Sequence, residues 1–184
     1  MLFVCFLLWE GFTMPDLLSE PRFDFISPPD KEFIRAFDRE MARLGFDYGG
    51  KIGSGYCWGQ YMLIYRKTGV KSDNVYARIY IREASILLRL FLSKIDAHRA
   101  FIEEAPAYIK EVFTGDAADC KHDRVDPDGG CMFRKTYTID GRLIEKCSGF
   151  AFEFPEPARH GVGDYIALFS EFYAPRRGPR VAVQ

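Results

Sequence analysis

No apolar run in this 184-residue sequence reaches the ~20 residues that a helix needs to cross a bilayer. The nearest candidate, Met1 to Trp9 within MLFVCFLLWEGF, is far shorter. It also lacks the marks of a secretory signal, since no Lys or Arg precedes Arg22 and no small-residue cleavage pattern follows. Residues 1–13 therefore read as a start-site artefact or a loosely held extension, with a divergent export signal as the alternative, and the domain as 14–174. Cysteine is scarce and odd in number: Cys5, Cys57, Cys120, Cys131 and Cys147. That argues against a disulfide framework and for a reducing, cytoplasmic compartment. Net charge is nearly absent too, at -1, which removes any global field for nucleic acid or anionic lipid. Histidine is limited to His98, His122 and His160, so few general bases are on offer. No internal repeat is present, and oligomeric state leaves no signature.

What is there suits one globular domain. Hydrophobic residues make up 48% of the chain and charged residues 28%. A chain of this length buries roughly 70% of its unfolded surface and needs no disulfide or metal to form a core. SPPDKEFIRAFDREMARLGF predicts a helix, capped by Ser27 or Asp30 and stopped at Gly45. Its Phe33, Phe37, Met41 and Leu44 recur at helical spacing. QYMLIYRK predicts a strand. NVYARIYIREASILLRLFL predicts two more, joined by a short turn at REAS. KIDAHRAFIEEAPAYIKEVF predicts helix on both sides of a break near Ala105, because Pro106 has no N–H and crowds the preceding turn. MFRKTYTIDGRLIEKC predicts a hairpin turning at Asp140-Gly141. FAFEF prolongs its second arm or forms another strand, VGDYIALFSEFY closes the domain as a helix, and 175–184 is a loose basic tail. Strands and helices are segregated along the chain, so the class is α+β, with an antiparallel sheet of about five strands packed against helices.

Two places carry candidate chemistry. The first is DCKHDRVDPDGGC, residues 119–131, taken with Cys147. A structural zinc site takes four Cys or His ligands in a tetrahedron. A hairpin turning at Asp140-Gly141 pairs residues whose numbers sum to about 281, which sets Cys147 opposite Arg134 and near Cys131. Cys120, His122, Cys131 and Cys147 would then form a Cys₃His set, with Asp123 as the other choice for the fourth ligand. The competing readings are a disulfide and a solvated polar loop. Calcium is excluded, because the acids do not alternate as an EF-hand loop requires and position 135 is Lys rather than Glu.

The second is a strand face. Tyr76, Arg78, Tyr80 and Arg82 alternate with Val75, Ala77, Ile79 and Ile81, and Arg89 and Phe91 can join them from the next strand. Guanidinium groups bind carboxylate or phosphate through paired hydrogen bonds, and tyrosine adds stacking area. Tyr76, Arg78, Tyr80 and Arg89 are therefore the candidate ligands for a small anion; single-stranded nucleic acid is the weaker form of the same idea. The plain alternative is a solvated sheet face with cross-strand pairs. The glycines of YGGKIGSGYCWG precede a strand rather than a helix, so they are not a dinucleotide fingerprint, although such a loop can rim a pocket. An enzyme would need Cys57 activated by a base, or a metal-bound water.

RKTYTIDG (Arg134–Gly141), EKC (Glu145–Cys147) and FEF (Phe152–Phe154) resemble segments of a group of small bacterial proteins of uncharacterised activity. In that group the cysteine loop looks like a zinc knuckle with a close Cys pair. The resemblance implies a structural zinc here, with His122-Asp123 standing where the partner cysteine is expected. It implies no activity. The order of elements is also loosely similar to small α+β domains of the YdhG/YjbR type, a likeness of fold alone. The function expected is a binding or accessory role toward a small anionic ligand; the alternatives are an enzyme using Cys57 or a metal-bound water, and a partner-binding structural domain.

Overall fold

The computed structural model describes residues 17–115, 135–146 and 151–173. Helix α1 (Pro28–Arg43) starts where the sequence places it: the Ser27 hydroxyl accepts from the Asp30 N–H, and two prolines occupy the first turn, where their missing N–H groups cost nothing. Its stripe of Phe33, Ile34, Phe37 and Met41 is buried. Strands β1 (Phe46–Asp47), β2 (Gly53–Ser54), β3 (Tyr61–Lys67), β4 (Ala77–Ile81) and β5 (Ile86–Phe91) follow. Helices α2 (Arg99–Glu104) and α3 (Ala107–Thr114) meet at Ala105-Pro106, as the proline requires. Hairpin strands β6 (Lys135–Ile139) and β7 (Arg142–Lys146), strand β8 (Ala151–Pro155) and helix α4 (Gly163–Tyr173) complete the order.

The fold is α+β with antiparallel pairing throughout. The main sheet runs β1-β3-β4-β5-β8, with β2 also paired to β3. The expected hairpin register is met: Ile139 faces Arg142 and Lys135 faces Lys146, and Asp140 and Gly141 both take positive φ, as a two-residue turn of this hand demands. FAFEF, however, does not prolong that hairpin. It crosses to the main sheet as β8 and pairs with β5, Phe152 facing Leu90 and Phe154 facing Leu88. The hairpin stands as its own two-stranded unit, tied back by the Tyr137 hydroxyl donating to the Phe113 carbonyl at 2.6 Å and by an Asp140–Lys110 ion pair at 2.7 Å.

One face of the sheet carries Leu63, Tyr65, Ile79, Leu88, Leu90 and Phe154, and all the buried side chains of the four helices pack in the same cluster. Aromatic rings lock it at edge-to-face angles, Phe46 against Phe169 at 5.0 Å and Phe154 against Tyr165 at 5.3 Å. Among the described residues no helix is long and apolar enough to cross a membrane.

On α1 a half-buried carboxyl is poorly accommodated. Burial, and then the neighbouring Asp47, push the Asp38 carboxyl from 3.8 up to about 6, against a smaller opposing effect of Arg39. The fully buried Tyr65 hydroxyl nearby has no hydrogen-bond partner. Because the folded pKa lies above the unfolded one, the folded state binds the proton more tightly. Stability therefore falls as pH rises from about 4 to about 6 and stays lower above it. Asp38→Asn should raise stability by about 1 kcal/mol at pH 7–8, after discounting for partial exposure, and leave it unchanged below pH ~4. Unfolding midpoints across that range check this; equal gains at acid and neutral pH would contradict it.

Candidate functional site: an arginine and aromatic cluster on the second sheet face

Alternation along β3, β4 and β5 sends every second side chain away from the main core. A smaller apolar patch of Met62, Tyr80 and Leu87, flanked by Ile64, lies on this second face. Beside it, Arg78 of β4 and Arg89 of β5 stand directly opposite each other. The Phe91 N–H donates to the Tyr76 carbonyl two residues away, so Arg78 and Arg89 form a hydrogen-bonded pair with Cα atoms about 5.5 Å apart. Like charges in that relation destabilise a sheet.

Their neutralisation is incomplete. Arg89 donates through Nη2 to Glu153 Oε1 at 3.0 Å, a partner delivered by β8, whose Glu153 pairs with Arg89 in register. Arg78 donates through Nη1 to the Tyr80 hydroxyl at 3.1 Å and has no carboxylate in ion-pair reach among the described residues. The Nε atoms of both arginines are buried and have no hydrogen-bond partner. The Arg89 side chain is only 12% exposed. Two facing guanidinium groups thus have one carboxylate partner among the described residues, held by Arg89 alone.

Aromatic rings frame the pair. Phe91 lies 5.3 Å from the Arg78 guanidinium carbon and 5.8 Å from that of Arg89. The Trp58 ring sits 4.5 Å from the Arg89 guanidinium and 5.9 Å from the Tyr80 ring. Such contacts hold the guanidinium groups in place beside the rings.

Of the four residues expected to bind the anion, the fold brings three together. Tyr76 is not among them. Its ring packs edge-to-face on Phe46 at 4.9 Å and Tyr173 at 5.0 Å, with the main core. Regular β4 begins only at Ala77, so the alternation that assigned Tyr76 to the arginine face does not extend to it. Two members were missed, Trp58 and Glu153. Trp58 comes from the glycine-rich loop, and its sequence signal was the pair of glycines around YCW. Glu153 had none, because its role depends on where β8 pairs.

The zinc ligand set, Cys120, His122, Cys131 and Cys147, lies outside the described residues. Among the described residues no group of three His, Cys, Asp or Glu is placed to hold a metal ion. Cys57 is exposed. The two described histidines are engaged elsewhere: His98 bonds Glu171 at 2.8 Å, and His160 stacks flat on Tyr108 at 3.8 Å. Cys57 thus has no histidine base at hand among the described residues.

A cleft of about 400 Å³ runs beside β8, lined by Tyr108, Glu111, Lys146, Glu153, His160 and Tyr165. Its ionisable lining is two carboxylates, Glu111 and Glu153, one lysine, Lys146, and the His160 imidazole. Burial, then Asp164, push the Tyr165 phenol up to about 12, so it stays a neutral hydroxyl at physiological pH. No family model matches the chain, and neither curated proteins nor solved structures give a match.

Proposed function

We propose that the chain is a binding protein for a small anion, carried as a phosphate or a carboxylate and held between Arg78 and Arg89. One observation carries the reading: of two facing guanidinium groups, Arg89 only 12% exposed and Arg78 part-buried, only Arg89 has a carboxylate partner among the described residues, and both keep a buried Nε donor without a partner. A buried donor left unpaired costs about 1–3 kcal/mol, and an anion that accepts from both, once the two side chains turn to admit it, removes that cost twice. Guanidinium offers paired N–H groups that match two oxygens of one phosphate or carboxylate, so the ligand is fixed in orientation as well as in charge. Glu153 competes for Arg89 and gives the site a way to remain half-neutralised when empty.

Binding to the folded state alone raises stability, by roughly 2.7 kcal/mol at a hundred times the dissociation constant. The test is thermal unfolding at rising inorganic phosphate and, separately, rising acetate, at constant ionic strength. The midpoint should climb with one or both anions in the native chain and not in Arg78→Met. An equal climb in both proteins would be the general stabilisation that excluded salts give every fold, and would overturn the reading.

A further inference from the structure

We infer that the anion held at Arg78 and Arg89 is carried on a planar aromatic ring, and that the Tyr56–Trp58 turn is the platform for that ring. The inference rests on the anion reading above.

The turn is built with unusual constraint for a loop. It closes the β2–β3 hairpin, with the Gly55 N–H donating to the Gln60 carbonyl at 3.1 Å and the Trp58 N–H to the Gly55 carbonyl at 3.1 Å. It is fastened to the end of β4 by Gln60 N–H on the Ile81 carbonyl at 2.8 Å and by Arg82 Nε on the Trp58 carbonyl at 3.0 Å. A Cβ on Gly55 would lie 2.3 Å from the Gly59 carbonyl oxygen, and one on Gly59 2.6 Å from that of Ile81. Backbone touches backbone on both sides, so the turn cannot sag or swing without breaking these contacts.

The residues displayed by this rigid turn contribute little to the core. Tyr56 sits at φ 52, a left-handed conformation that a bulky side chain rarely adopts, and the residue is 80% exposed. Core packing gives no reason to keep a large ring on a strained backbone in water. Trp58 is 37% exposed while its ring lies against Arg89. A part-exposed indole beside a guanidinium with an unpartnered Nε is the pairing that recognises an aromatic ring and its anionic group together. A bare inorganic anion would use the arginines and leave both rings idle.

The test is calorimetric titration of the full chain with two pairs of probes: inorganic phosphate against adenosine monophosphate, and acetate against indole-3-acetate. In at least one pair the ring-bearing anion should bind about tenfold tighter or more than its ring-free partner, and that pair identifies phosphate or carboxylate as the anchor. Trp58→Leu should bring the ratio down towards one. So should Tyr56→Gly, a variant that relieves the left-handed backbone and therefore folds at least as well as the parent. Ratios near one in the native chain would overturn the aromatic inference and leave the anion reading standing. A ratio that survives both variants would place the ring elsewhere and overturn the assignment of the turn. Failure of all four probes to bind would instead remove the anion reading itself.

Discussion

Arg78→Met should stabilise the fold and abolish tight anion binding in the same protein. The two effects have one origin. In the native chain Arg78 faces Arg89 across the strand pair, buries an Nε that donates to nothing, and is repaid by a single bond to the Tyr80 hydroxyl. Methionine keeps most of the apolar stem and removes the charge, and with it the guanidinium contact on Phe91. The gain is the relief of a like-charge pair and an unpaired donor, and the losses are one hydrogen bond and that contact, for a net increase of up to about 1 kcal/mol. Binding moves the other way. Losing a charge-assisted pair to the ligand costs about 2–3 kcal/mol, a drop in affinity of roughly 30- to 150-fold. Denaturant unfolding and a phosphate titration on the same preparation separate the two. A purely structural arginine would give destabilisation and no change in binding.

Phe152→Ala should cost about 3–5 kcal/mol, the largest loss of stability expected of any substitution considered. Phe152 is almost fully buried, lies 4.4 Å from Phe113 of α3 and 6.3 Å from Tyr137 of the hairpin, and comes from a strand paired to β5. It is therefore the joint of sheet, helix and hairpin. Removing the ring leaves a cavity where three elements meet, and none can close it without giving up its own pairing. Where the alanine variant does not fold, Phe152→Leu should show a smaller loss of about 1–2 kcal/mol. Urea midpoints check both, and a loss under ~1 kcal/mol for alanine would mean that β8 is a loosely held edge.

How much of this was legible in the sequence depends on the range of the interactions. The α1 cap, the break at Pro106 and the Asp140-Gly141 turn are local, set within a few residues by donors, ring geometry and backbone φ, and each stands where the sequence places it. Period-two alternation told the faces of β4 and β5 apart and so put Arg78, Tyr80, Arg89 and Phe91 together. Alternation says nothing about partners. It could not show that 151–155 crosses to β5, and so it could not supply Glu153 as the carboxylate for Arg89. It also has no meaning beyond a strand end, where Tyr76 joins Phe46 and Tyr173. Trp58 is intermediate: the glycines marked a loop, but the 2.3 and 2.6 Å approaches that make it rigid arise only once β3 and β4 are paired.

The account turns on whether the two partnerless Nε groups are the donors of a ligand site. Arginine side-chain NMR reads those N–H groups directly. On titration with inorganic phosphate or acetate, the Nε–Hε resonances of Arg78 and Arg89 should shift together and saturate at one common dissociation constant, while those of exposed arginines such as Arg43 and Arg159 drift linearly. Resonances of Arg78 and Arg89 that stay fixed, or that drift linearly like the exposed ones, would contradict it.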